Sequence, residues 1–126
     1  MELSSHPVNL ALRFLLEITA LISSGIWGWN QGEGWFRYVL AIGIPVIFAV
    51  IWGVFAVPND PSRSGSAPVI TPGIIRIIIE IAILGFGAWA LYTLNYPIAG
   101  IIFGLILILH YIISWDRIIW LISGND

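Results

Sequence analysis

The chain alternates between four long apolar stretches and short polar connections. A helix needs about 20 apolar residues to cross the hydrocarbon core of a bilayer, and each stretch is close to that length. Runs such as IIRIIIEIAIL do not alternate every second residue, as a barrel strand would, so they favour helices. We predict helices over residues 8–29, 36–57, 73–93 and 98–122, with the longest connection over residues 58–72.

The composition of the chain indicates which class of protein has this pattern. Hydrophobic residues make up 59% of the 126 residues and charged residues only 10%, whereas soluble domains carry roughly 25% charged residues. So few charges cannot cover the surface of a water-soluble fold, and disorder requires the opposite composition. We therefore predict one integral membrane domain over residues 1–126, an all-α four-helix transmembrane bundle whose main partner is the lipid bilayer.

Charge and motif content exclude several functions. The net charge is −2 and the chain has no lysine, so we predict no nucleic-acid partner. There is no cysteine, the two histidines lie far apart, and none of the common catalytic motifs occurs. We predict a protein that is not an enzyme and that carries neither a metal nor a cofactor.

The arginines predict how the chain is oriented. With four spans, both termini and the connection over residues 58–72 lie on one side of the membrane. Arg13, Arg63, Arg76 and Arg117 lie in or near that side, and only Arg37 lies on the other. Because positive residues accumulate on the cytoplasmic side, we predict a multi-pass protein of the cytoplasmic membrane with both termini inside.

A shift of 63 residues, half the chain, indicates an internal repeat. It superposes Arg13 on Arg76, Glu17 on Glu80, and Trp52 on Trp115. The first and third predicted helices therefore share the pattern R-x-x-x-E at the same depth. This favours two similar helix pairs in a parallel repeat, with chance matches in an apolar chain as the alternative.

Charged side chains within the predicted helices indicate a polar cluster in the inner half of the membrane. Each buried charge costs at least about 2.5–3.5 kcal/mol, so each requires a partner or a function. The repeat suggests that Arg13 pairs with Glu80, and Arg76 with Glu17. The candidate ligand-binding or charge-network residues are Arg13, Glu17, Arg76, Glu80, His110 and Asp116, with Trp52 and Trp115 lining or packing against them.

The cluster has two interpretations. As a ligand-binding or transport site, its carboxylates, histidine and guanidiniums could pass protons, or hold an anion or a small amphiphile in an inner-leaflet cavity. As part of an accessory or structural protein, the Arg–Glu pairs would only hold the helices together. Four helices are too few to enclose a wide pore, so conduction would require a homo-oligomer or a narrow internal cavity.

Several segments resemble a known family. They are LALRFLLEITAL, IPVIFAVIWGVFAVP, IRIIIEIAILGFGAWAL and LHYIISWDRIIWLI, which contain the spacings LRFxxE, P-x6-WGxF-x-x-P and HYxxSxDR. Together they resemble the YrdB-like family of small bacterial membrane proteins, which is classed as a domain of unknown function. The resemblance implies four transmembrane helices in a bacterial cytoplasmic membrane. It implies no activity, so no catalytic residue is carried over.

Overall fold

The computed structural model describes residues 6–60 and 67–123, and within these ranges the chain is almost entirely helical. A short parallel pairing of two strands, β1 and β2, interrupts the helices. The elements are α1 (Pro7–Gln31), α2 (Phe36–Val54), β1 (Phe55–Ala56), β2 (Val69–Ile70), α3 (Gly73–Thr93), α4 (Pro97–Ile113) and α5 (Trp115–Ile122). Arg63, one of the arginines used to predict orientation, lies outside the described residues.

Three of the described helices, α1, α2 and α3, are each long and apolar enough to cross a membrane. Helices α4 and α5 meet that criterion only together, and they are bent by 68° relative to each other. The described part of the chain thus contains three candidate spans, or four if the bent pair is one broken span.

The predicted single helix over residues 98–122 is wrong, because it breaks at Ser114. The backbone there has φ −90° and ψ 21°, and the buried Ser114 hydroxyl accepts a hydrogen bond of 2.8 Å from the Asn9 amide. Ser114, Asp116 and Arg117 interrupt the apolar run only briefly, so the prediction from apolar length continued the helix through them. The bend allows α5 to pack against α3.

The second helix ends at Val54, three residues before the predicted position. The chain becomes extended at Phe55 and Ala56, which pair with Val69 and Ile70. The backbone N–H of Thr71 continues this pairing with a 2.9 Å hydrogen bond to the carbonyl of Ala56. Both ends of the long connection are therefore held together beside the start of α3.

Helices α1 and α3 form the centre of the structure, since α1 packs along α2 and α3, and α3 packs along α4. None of the 19 residues of α2, all of which the structure describes, is buried. A Cβ added to Gly87 would come within 2.8 Å of the Ala20 Cα, so α1 and α3 approach closely there. Arg13 and Glu80 are separated by the same 67 positions as Ala20 and Gly87, so the two helices run parallel.

Candidate functional site

Glu80 is the centre of a buried ion-pair network, and its side chain is 0% exposed. Its Oε2 accepts hydrogen bonds from Arg13 Nη2 at 2.8 Å, Arg76 Nε at 2.8 Å and Arg117 Nη2 at 2.6 Å. Its Oε1 accepts from the Tyr111 hydroxyl at 2.8 Å and from Arg117 Nη1 at 2.9 Å. Among the described residues, one carboxylate therefore receives three guanidinium groups drawn from α1, α3 and α5.

Asp60 supplies a second buried carboxylate. Arg117 binds both of its oxygens through one edge of the guanidinium, with Nε 2.8 Å from Oδ1 and Nη2 2.6 Å from Oδ2. Such bidentate geometry gives strong, directional charge-assisted hydrogen bonds. Arg117 thereby connects the segment after β1 to Glu80 of α3. Sequence reasoning placed Asp60 in a polar connection and missed it, because Asp116 stood as the third carboxylate of the predicted cluster.

The two helical glutamates occupy different surroundings. The predicted pair of Arg13 with Glu80 is present, whereas the predicted pair of Arg76 with Glu17 is wrong. Arg76 pairs with Glu80 of its own helix, and its Nη1 donates to the carbonyls of Trp52 and Phe55 at the end of α2. In the part of the chain that the structure describes, Glu17 makes one ion pair, with Arg13 at 3.3 Å, and its side chain is 25% exposed.

Trp52 lies between two of the arginines. The guanidinium carbons of Arg13 and Arg76 lie 5.1 Å and 4.7 Å from its ring centroid, within the range of cation–π attraction. One N–H-bearing nitrogen of each group, Arg13 Nη1 and Arg76 Nη2, has no hydrogen-bond partner in the described part of the chain. The indole face is the electron-rich surface beside both groups. Trp115, expected to line or pack the same region, instead has 59% of its surface exposed, because it begins α5 on the side away from Arg117.

His110 belongs to a separate polar group. It is 1% exposed, and its Nδ1 lies 3.0 Å from the Asn9 Oδ1, while the Asn9 amide nitrogen donates to the Ser114 hydroxyl. Because the Asn9 Oδ1 can only accept, Nδ1 of His110 is the donor in this contact. Asp116 follows the break on α5 and is partly exposed, whereas its neighbour Arg117 is buried. The sequence did not indicate that Asn9 and Ser114 join this group, because both are uncharged residues within apolar stretches.

A groove opens on one side of the network, between α1 and α2 with α3 as its floor. Its volume is about 230 Å³. Glu17 is its only charged lining residue among those that the structure describes, and Trp52 separates the groove from the buried arginines. The lining residues are Phe14, Glu17, Ile18, Leu21, Phe48, Ala49, Trp52, Ile83 and Leu84.

The long apolar helices, with buried ion pairs between them, are consistent with a small helical membrane protein. The family described as "Protein of unknown function (DUF2568)" matches residues 11–108. The chain is also 46% identical over 118 residues to "Uncharacterized protein YrdB" of Bacillus subtilis (strain 168), covering 94% of this chain and 96% of that protein. The chain belongs to this YrdB-like family, which confirms the resemblance seen in its sequence segments. No solved structure matches it.

Proposed function

We propose that this protein binds a small amphiphilic molecule from the membrane in the groove at Glu17. The observation that carries the proposal is the position of that side chain, a 25% exposed carboxylate in the wall of an otherwise apolar groove of about 230 Å³. A cavity of roughly 150 Å³ lined by aliphatic and aromatic side chains is enough to bind benzene. The groove therefore has room for a short apolar chain beside one polar group.

The groove also has an entrance on the outer surface of the helices. Phe14 and Ile18 of α1 are 59% and 38% exposed, while Ile83 and Leu84 of α3, at the floor, are 7% and 0% exposed. In a bilayer this opening faces the acyl chains rather than water. A ligand dissolved in the membrane can then enter sideways, without passing through the bundle.

The proposed architecture is a four-helix bundle in the bacterial cell membrane, with α4 and α5 as one broken span. The parallel course of α1 and α3 supports two similar helix pairs, α1–α2 and α3–α4. The positions of Arg13, Arg76 and Arg117 support cytoplasmic termini, with the network in the inner half of the membrane.

A structural role is the second candidate, and the burial of Glu80 favours it. Its carboxylate is 0% exposed and surrounded by guanidinium and hydroxyl donors, which leaves no access for a ligand. The Glu80 network would then hold α1, α3 and α5 together, as buried charges require partners. The two candidates are compatible, because Glu17 and Trp52 are the described residues through which the groove touches the network.

Mass spectrometry of molecules that co-purify with the protein tests the binding proposal. Ala49→Trp places a large ring in the groove, and Val50→Trp is the matched control, because Val50 is 54% exposed and does not line the groove. We expect a co-purifying amphiphile with the native chain and with Val50→Trp, and none with Ala49→Trp. The proposal is wrong if the two variants yield equal amounts of the amphiphile. It is also wrong if no amphiphile co-purifies with the native chain.

A further inference from the structure

The side chains around the groove restrict the polar head of its ligand. Resting on the proposed function, we infer that the groove selects an uncharged amphiphile whose head is a hydroxyl that donates a hydrogen bond to Glu17. Glu17 and Trp52 are the only polar lining residues among those described. The selection of the ligand head group therefore depends on which groups the Glu17 carboxylate can bind while it lies next to Arg13, which is already paired with Glu80.

Glu17 has unused hydrogen-bonding capacity. Within residues 6–60 and 67–123 its one ion pair is with Arg13 Nε, at 3.3 Å, although an ionised carboxylate can accept about four hydrogen bonds. Because the side chain is only 25% exposed, little water is available to fill the remaining positions in a bilayer. A ligand that donates a hydrogen bond would fill one of them.

Binding at Glu17 need not disrupt the network. Arg13 retains its 2.8 Å bond to Glu80 and its position over Trp52 even if its contact with Glu17 lengthens. The weaker of its two ion pairs is thus the one that faces the ligand. Glu17 can therefore turn toward a bound hydroxyl, because the buried guanidinium of Arg13 keeps Glu80 as its counter-charge.

An anionic head is disfavoured. The guanidinium groups that could receive it point to Glu80, and no arginine lines the groove in the described part of the chain. The anion would meet the negative charge of Glu17, and Trp52 offers only one neutral N–H. Juxtaposed like charges cost several kcal/mol, and each 1.4 kcal/mol is tenfold in affinity.

A cationic head is disfavoured by the charge balance. The network holds three arginines, Arg13, Arg76 and Arg117, and three carboxylates, Glu17, Glu80 and Asp60. Its charges therefore cancel before any ligand arrives. An ammonium group would add an uncompensated positive charge close to Arg13 in a medium of low dielectric constant, whereas a hydroxyl adds none.

Three probes with the same ten-carbon chain test the inference: 1-decanol, decylammonium and decanoate. Their dissociation constants are measured at pH 7 by the thermal shift of the full-length protein in one fixed detergent. For the native chain we expect 1-decanol to bind at least about tenfold more tightly than either charged probe. For Glu17→Gln, which removes the negative charge, we expect the disadvantage of decanoate to shrink to less than about threefold.

The outcomes separate the inference from the proposed function. If decanoate or decylammonium binds the native chain as tightly as 1-decanol, and Ala49→Trp abolishes that binding, the head-group inference is wrong and the groove still binds amphiphiles. If Ala49→Trp leaves the binding of all three probes unchanged, the proposed function itself is wrong. Unchanged discrimination against decanoate in a folded Glu17→Gln variant would also overturn the inference.

Discussion

Arg117 and Glu80, which lie 37 positions apart, meet through two hydrogen bonds of 2.6 Å and 2.9 Å. The same guanidinium forms two further bonds with Asp60, of 2.6 Å and 2.8 Å. A single side chain therefore joins α5, α3 and the segment that follows β1. The close approach of Gly73 to the backbone of Leu121 shows that α5 lies directly against the start of α3.

We expect Arg117→Met to be strongly destabilising. The change removes the bidentate partner of Asp60 and one of three cations around Glu80, and breaking a buried ion pair typically costs about 3–5 kcal/mol. Arg117→Lys should recover only part of the loss, because an ammonium group cannot reproduce the planar fork. Melting temperature in detergent measures both effects, and a lysine variant as stable as the native protein would contradict this explanation.

We expect the two helical glutamates to differ in their contribution to stability. Glu80→Gln removes the counter-charge that three buried guanidiniums share and leaves Arg76 with no carboxylate partner among the described residues. It should therefore lower the melting temperature severely, as loss of a buried charge partner does. Glu17→Gln removes one 3.3 Å contact of a partly exposed group and should cost less than about 1 kcal/mol. Glu33→Gln, at an exposed position after α1, is the control. Equal losses for Glu17→Gln and Glu80→Gln would contradict the asymmetry.

His110 and Asn9 should act as one unit. His110→Ala removes the hydrogen bond to the Asn9 carbonyl oxygen and opens a space in a buried region, so we expect a loss of about 1–3 kcal/mol. Asn9→Ala should cost a similar amount, and the double variant should cost less than the sum of the two. A double-mutant cycle of unfolding free energies measures this coupling, and strict additivity would show that the two side chains are independent.

The absence of cysteine from the chain allows a direct test of orientation. Glu33 and Ser123 are exposed in the structure, at opposite ends of the proposed bundle. In intact cells, a membrane-impermeant maleimide should label Glu33→Cys but not Ser123→Cys. Both variants should be labelled after the cells are opened, and labelling of Ser123→Cys in intact cells would place the end of α5 outside.

Apolar length and intramembrane charge account for what could be predicted from the sequence. The long apolar runs located the helices, and the cost of buried charge together with the inferred repeat predicted the pair of Arg13 with Glu80. Neither apolar length nor the charge pattern predicts the break at Ser114 or the ion pair of Asp60 with Arg117. Both features depend on contacts between distant segments of the chain. The pairing of Arg76 likewise depends on carbonyl groups at the end of α2, which a charge pattern cannot reveal.

The inferred repeat has a similar limit. A shift of 63 aligns Trp52 with Trp115, yet the former lies beside two guanidinium groups and the latter is mostly exposed. The difference follows from the break before α5, since α2 has no equivalent bend at its corresponding position. The two tryptophans that the repeat aligns therefore lie in different environments, because the fourth predicted helix is interrupted and the second is not.

The Glu80 network is divided between two halves of the chain that are synthesised one after the other. The first half contributes Arg13, Glu17 and Asp60, a net charge of −1, and the second contributes Arg76, Glu80 and Arg117, a net charge of +1. Neither half can neutralise its own buried charges. The charge pairing of the first half is therefore complete only when the second half has folded against it.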